Sequence, residues 1–153
     1  MADVKEGAKA PDFSLESAEG PIRLGDFAGK TLVLYFYPKD DTTGCTMEAQ
    51  AFTELAGDFA KAGAAVIGVS KDTVKSHEKF AGKYGLNVRL GSDPNGEVIE
   101  RYGSWVQKKL YGREYMGIDR STFLIKDGTI RRIWRKVKVP GHAQAVLDAV
   151  KSA

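Results

Sequence analysis

The sequence predicts an α/β domain with a central mixed sheet flanked by helices. Residues 31–37 and 64–69 are continuous apolar runs, the pattern of strands buried on both faces. Each is followed by a segment with helical periodicity, which gives a β-α-β-α order. Later in the chain, Asp127-Gly128 separates two apolar segments and marks a tight hairpin.

Before the first buried strand, residues 13–15 and 22–24 read as a small hairpin around Glu19-Gly20-Pro21. The strand at 31–37 ends at Pro38, and a polar loop, 39–44, leads to one helix from about Cys45 to Ala62. Phe52, Leu55 and Phe59 share a face of that helix, and Gly63 stands where a C-terminal cap belongs. After the strand at 64–69, Asp72 or Thr73 caps a helix whose apolar stripe is Val74, His77, Phe80 and Tyr84, stopped by Gly85. A short strand at 88–90, a turn at Asp93-Pro94-Asn95-Gly96 and a short helix through Tyr102 follow. Strands at 122–125 and 130–139 flank Asp127-Gly128, the second with a solvated, positively charged face. The last helix follows Pro140-Gly141, with Ala143, Val146 and Val150 facing inward. A βαβ start, a hairpin and a closing helix make the order of a thioredoxin-like fold. The N-terminal hairpin and residues 93–117 are additions to it. One domain, 1–153, is expected from the length.

Composition narrows the function classes. With 42% apolar and 28% charged residues, the chain can bury a normal core, and no apolar run approaches the roughly 18 residues of a membrane span. The start, Met1-Ala2-Asp3-Val4-Lys5-Glu6, has neither the apolar core of a signal peptide nor the bias of a transit peptide, so a cytoplasmic protein is expected. The net charge of +3 is mild, and the basic stretch 131–138 reads better as a strand face than as a nucleic-acid surface.

The chain has one cysteine, Cys45, which excludes an intrachain disulfide framework and a Cys-rich zinc site. It falls at the first turn of a helix that follows a buried strand, where N–H groups and the helix dipole favour an anion. Thiolate is the reactive form of cysteine, and such positions favour it. Thr42-Thr43-Gly44-Cys45 occupies the place of a thioredoxin CxxC, with Thr42 at the first cysteine position. A dithiol cycle within this motif is impossible, but the Thr42 hydroxyl can hydrogen-bond the thiolate or a substrate oxygen. His77 reads as a packed core-edge residue and His142 as a capping or surface residue. Asp40 and Asp41 read as loop and pre-helix charges, because no further metal ligands cluster with them in the sequence.

The run Tyr35-Phe36-Tyr37-Pro38-Lys39-Asp40-Asp41-Thr42-Thr43-Gly44-Cys45-Thr46 contains PxxxTxxC, as Pro38, Thr42 and Cys45, and resembles the peroxiredoxins. The wider wording resembles the bacterioferritin-comigratory or Q-type branch. Lys9-Ala10-Pro11-Asp12-Phe13, Tyr102-Gly103-Ser104-Trp105, residues 117–125 and Gly141-His142 extend the resemblance nearly end to end. The resemblance implies that Cys45 is the peroxidatic nucleophile, Arg120 a second cation of the site, and Pro38 a pocket wall that shields the thiolate. It gives Glu48 a structural or hydrogen-bonding role. Relatives often carry Pro where this chain has Thr43, and a resolving cysteine five residues after the first or in the next helix. Here those places hold Gln50 and no cysteine, which resembles a one-cysteine member.

The resulting expectation is a thiol-dependent peroxidase for hydrogen peroxide and organic hydroperoxides. Cys45 becomes a sulfenic acid, and an external thiol such as thioredoxin, glutaredoxin or glutathione regenerates it. No metal or organic cofactor, nucleic acid or membrane enters the cycle, and a monomer or weak homodimer is expected. The rival is a non-catalytic thioredoxin-fold protein, a chaperone or interaction module with an inert Cys45. A thiol titration against pH separates the two.

Overall fold

The computed structural model describes residues 4–153; Met1-Ala2-Asp3, the first part of the charged N-terminal stretch, lies outside them. β1 (Ser14–Leu15) and β2 (Ile22–Arg23) form the expected antiparallel hairpin, and a 3₁₀ turn, Leu24–Phe27, follows. β3 (Thr31–Phe36), α1 (Thr43–Glu54), α2 (Ala56–Lys61), β4 (Ala64–Ser70), α3 (Val74–Tyr84) and β5 (Arg89–Ser92) make the β-α-β-α-β run. After α4 (Glu97–Arg101) come β6 (Trp105–Leu110), β7 (Arg113–Ile118), β8 (Ser121–Lys126), β9 (Thr129–Trp134) and α5 (His142–Ser152).

The main sheet has the order β5-β4-β3-β8-β9, parallel across β3, β4 and β5 and antiparallel across β3, β8 and β9. All six residues of β3 are buried, as a central strand requires. Side chains alternate between two core layers because the strand period is two. Leu32, Leu34 and Phe36 face the N-terminal segment and α4, packing with Phe13, Ile99 and Tyr102. Val33, Tyr35 and Tyr37 face α1, α3 and α5, packing with Phe52, Phe80 and Val146. Gly68 stands opposite Tyr35 in the register, and a Cβ there would lie 2.6 Å from the tyrosine ring. Both sheet edges are covered, β9 by Ala8 and Gly7 and β5 by Glu16.

Three elements differ from the expectation. The helix expected over 45–62 starts at Thr43 and breaks at Leu55, whose N–H bonds Phe52 three residues back rather than four. The break lets Phe59 meet Phe52, with ring centroids 5.8 Å apart. The strand expected to run to 139 stops at Trp134. Arg135 turns aside to the carbonyls of Tyr102 and Gly103, and Val137 N–H bonds the Arg120 carbonyl. Finally, residues 105–118 form a hairpin that the sequence reading left unassigned. Its turn places Tyr111 and Gly112 both at positive φ, and tyrosine is a poor signal for such a turn.

Candidate active site

β3 ends at Phe36, and the register pairs Phe36 with Ser121 of β8. Arg120 is one residue outside that pair, so it lies level with the start of the loop that carries Pro38 and Thr42. Residues 75 positions apart thereby meet: Arg120 Nη2 donates to Cys45 Sγ at 3.4 Å. Cys45 is only 1% exposed. Thr42 is the N-cap of α1 but gives no side-chain cap, so the N–H groups of Thr43, Gly44 and Cys45 lack the usual capping acceptor. An anion at Sγ therefore meets helix N–H groups and a guanidinium together. Gly44 eases the approach, since a Cβ there would lie 3.1 Å from Arg120 Nη2, tighter than ordinary van der Waals contact.

Arg120 also donates through Nη1 to Glu48 Oε1 at 2.7 Å. Glu48 follows Cys45 by three residues, one helical turn on the same face. Its side chain is 1% exposed, and Oε2 has no hydrogen-bond partner. Burial pushes the Glu48 carboxyl up to about 7, with Arg120 pulling the other way. Burial also opposes the Arg120 charge, but Glu48 and Cys45 outweigh it and raise the guanidinium further above its ordinary range. The hydrogen-bonding role expected for Glu48 is the geometry found.

The other candidate residues are placed differently. The Thr42 hydroxyl donates to the Lys39 carbonyl at 2.8 Å, not to Cys45, because the loop turns that carbonyl toward it. Pro38, expected as a pocket wall, is exposed. His142, expected at the surface, is 7% exposed; Nε2 lies 2.8 Å from Thr122 Oγ1, and the ring packs edge-on against Phe52 and Trp134. Burial and then the Arg120 charge push it down to about 4, so it is neutral near pH 7. A Gly141-His142 helix start gives no sign of this, which depends on α5 docking against α1. Asp40 lies in the expected loop but is not a solvated charge. It is buried and bonded to Tyr37, Ser76 and His77, with Asp72 nearby.

The arrangement is a near-sealed thiol held by an arginine at a helix N-terminus, with a buried acid on the far side of the arginine. Comparison with known proteins agrees with that chemistry. The AhpC/TSA family profile matches residues 7–133. Peroxiredoxin Bcp of Bacillus subtilis is 45% identical over 150 residues, 97% of this chain and 96% of that protein. The structure of a Xylella fastidiosa PrxQ mutant superposes with a TM-score of 0.92 at 37% identity, covering 99% of this chain and 98% of that one. A Xanthomonas campestris bacterioferritin comigratory protein, studied for alkyl peroxide reduction, gives 0.89 at 43% identity over 99% and 98%.

Proposed function

The chain belongs to the AhpC/TSA family and is a peroxiredoxin, a thiol peroxidase; on that premise we propose that Cys45 is its peroxidatic nucleophile and Arg120, Thr42 and Pro38 complete the site. The observation that carries this is the Arg120–Cys45 contact at the N-terminus of α1. The sulfur attacks one peroxide oxygen, an S–O bond forms, and the O–O bond breaks. The electron pair leaves with the distal oxygen, which takes a proton and departs as water or alcohol. Arg120 holds the oxygens with fixed N–H donors as charge moves onto the leaving one. Thr42, its O–H donated to the Lys39 carbonyl, keeps lone pairs with which to accept the peroxide hydroxyl. Pro38, with no N–H, forms the outer rim without offering a competing donor.

An external thiol then attacks the sulfenic sulfur, releasing water and leaving a mixed disulfide that a second thiol opens. We assign this role to thioredoxin, glutaredoxin or glutathione, which a side-by-side peroxidase assay ranks. A cytoplasmic location, where thiol pools are kept reduced, goes with this proposal. Residues 1–153 act as one catalytic domain, as a monomer or weak homodimer, on hydrogen peroxide and organic hydroperoxides. Cys45→Ser tests the assignment: turnover is expected to vanish while the far-UV circular dichroism is retained. Peroxidase activity above the thiol-only background would overturn it.

A further inference from the structure

Both ends of helix α3 hold the loop that leads into α1 and Cys45. At its N-terminal end the target is Asp40, whose carboxylate accepts from Tyr37 Oη at 2.5 Å and Ser76 Oγ at 2.8 Å. His77 Nδ1 lies 2.7 Å from Asp40 Oδ2, and His77 Nε2 lies 3.1 Å from the Gly91 carbonyl oxygen of β5. A carbonyl only accepts, so Nε2 carries a proton. The short Nδ1–Oδ2 contact holds a second proton between ring and carboxyl. The Asp40 backbone N–H is fixed as well, donating to Asp72 Oδ2 at 2.8 Å. Asp40, Asp72 and His77 lie close enough to hold a cation, but the contacting atoms are already occupied by these donors.

At the C-terminal end of α3 the target is the next residue, Asp41. Its φ of 57° lies in the left-handed region that favours glycine, and neighbouring side chains fix it there. Lys83 Nζ at 2.9 Å and Tyr84 Oη at 2.5 Å hold its carboxylate. Only Thr42, Thr43 and Gly44 separate these fixed residues from Cys45.

We propose that α3 is a positioning brace for the peroxidatic loop, acting through His77–Asp40 and through Lys83 and Tyr84 on Asp41 to seat Cys45 against Arg120. The inference rests on Cys45 being the nucleophile. His77 is then no base, because both ring nitrogens are engaged; it acts through Asp40. Asp40→Asn can keep the geometry, with its amide donating to Nδ1 and its oxygen accepting from Tyr37, whereas Asp40→Ala cannot.

The test measures Cys45 oxidation by hydrogen peroxide in stopped flow and, in parallel, Cys45 alkylation by iodoacetamide. Each is taken as the limiting rate at high pH, where the thiol is fully ionised, so that alkylation reads access to the thiolate and not its alignment with Arg120. His77→Leu and Asp40→Ala are expected to slow oxidation by about tenfold or more and alkylation by less than about threefold. Asp40→Asn is expected to stay within about threefold of wild type in both. Should circular dichroism show His77→Leu unfolded, Tyr84→Phe on the exposed side of α3 reads the same brace, with an expected loss of about twofold to fivefold in oxidation alone. Wild-type oxidation rates in the folded variants overturn the brace. So do equal losses in Asp40→Asn and Asp40→Ala, or parallel losses in both reactions. A wild-type protein inert to peroxide would instead overturn the role of Cys45 itself.

Discussion

Arg120 sits between two groups that want its charge, the sulfur of Cys45 and the buried carboxyl of Glu48. Because burial pushes Glu48 up to about 7, a protonated Glu48 leaves more of the guanidinium field for the sulfur than an ionised one does. The geometry also asks for arginine rather than a point charge, since two different nitrogens serve two partners at once. Arg120→Met is expected to slow Cys45 oxidation at pH 7 by about tenfold or more, or about 1.4 kcal/mol of barrier. Arg120→Lys recovers part of that loss, since an ammonium restores the charge but not the fork. A methionine variant that reacts as fast as wild type removes Arg120 from the site.

Among the elements, α3 shows how a local signal and a distant contact divide the work. Its ends are set locally. Thr73 caps it by accepting from Ser76 N–H at 3.1 Å, and Gly85 closes it in the left-handed conformation. Asp72, the other capping candidate, is taken up by Ser70 and Asp40 instead. Thr73→Ala is expected to cost about 1 kcal/mol in urea unfolding, while Asp72→Ala affects the loop and not the cap. Equal fraying of α3 in both, seen by amide exchange, would contradict that division. The β3–β8 register works at longer range, since a one-residue slip would turn β8 over and carry Arg120 away from Cys45.

For the molecule as a whole, two buried groups tilt stability in opposite directions with pH. Glu48 has an ordinary value of 4.5 and a native value of about 7, so between them the native state holds a proton that the unfolded chain has lost. Its contribution therefore falls as pH rises through that window. His142 is the reverse: ordinarily 6.5 and about 4 in the native state, it contributes stability that is lost as pH falls from 6.5 towards 4. Between about pH 4.5 and 6.5 the two oppose each other. Relative to wild type, His142→Gln is expected to grow less stable as pH rises through that range, and Glu48→Gln more stable, with slopes of at most about 1.4 kcal/mol per pH unit. Urea titrations at four pH values check it, and matched slopes in the two variants would refute it. The single cysteine sets a second whole-molecule property. One equivalent of peroxide is expected to give a sulfenic acid that dimedone traps, with no two-hydrogen loss from the monomer by mass spectrometry. Excess peroxide carries it to sulfinic and sulfonic acid. A covalent dimer as the main oxidised product would mean that one chain's Cys45 resolves another's.

Apart from the β6–β7 hairpin and the break between α1 and α2, the strand and helix order, the hairpins around Gly20 and Asp127-Gly128, the inward face of α5 and the single cysteine were legible in the sequence because each rests on contacts within a few residues or on composition. The candidate site was legible mainly as a motif around Cys45, with Arg120 linked to it by family resemblance. Its physical basis, a strand register joining positions 120 and 45, is a contact between segments 75 residues apart that periodicity cannot encode. For the same reason the sequence did not reveal the burial of Asp40, expected as a loop charge, or of His142, expected as a capping or surface residue. A side chain's charge is written in its own chemistry, but its burial and its partners depend on which elements dock over it, and only the tertiary structure decides that.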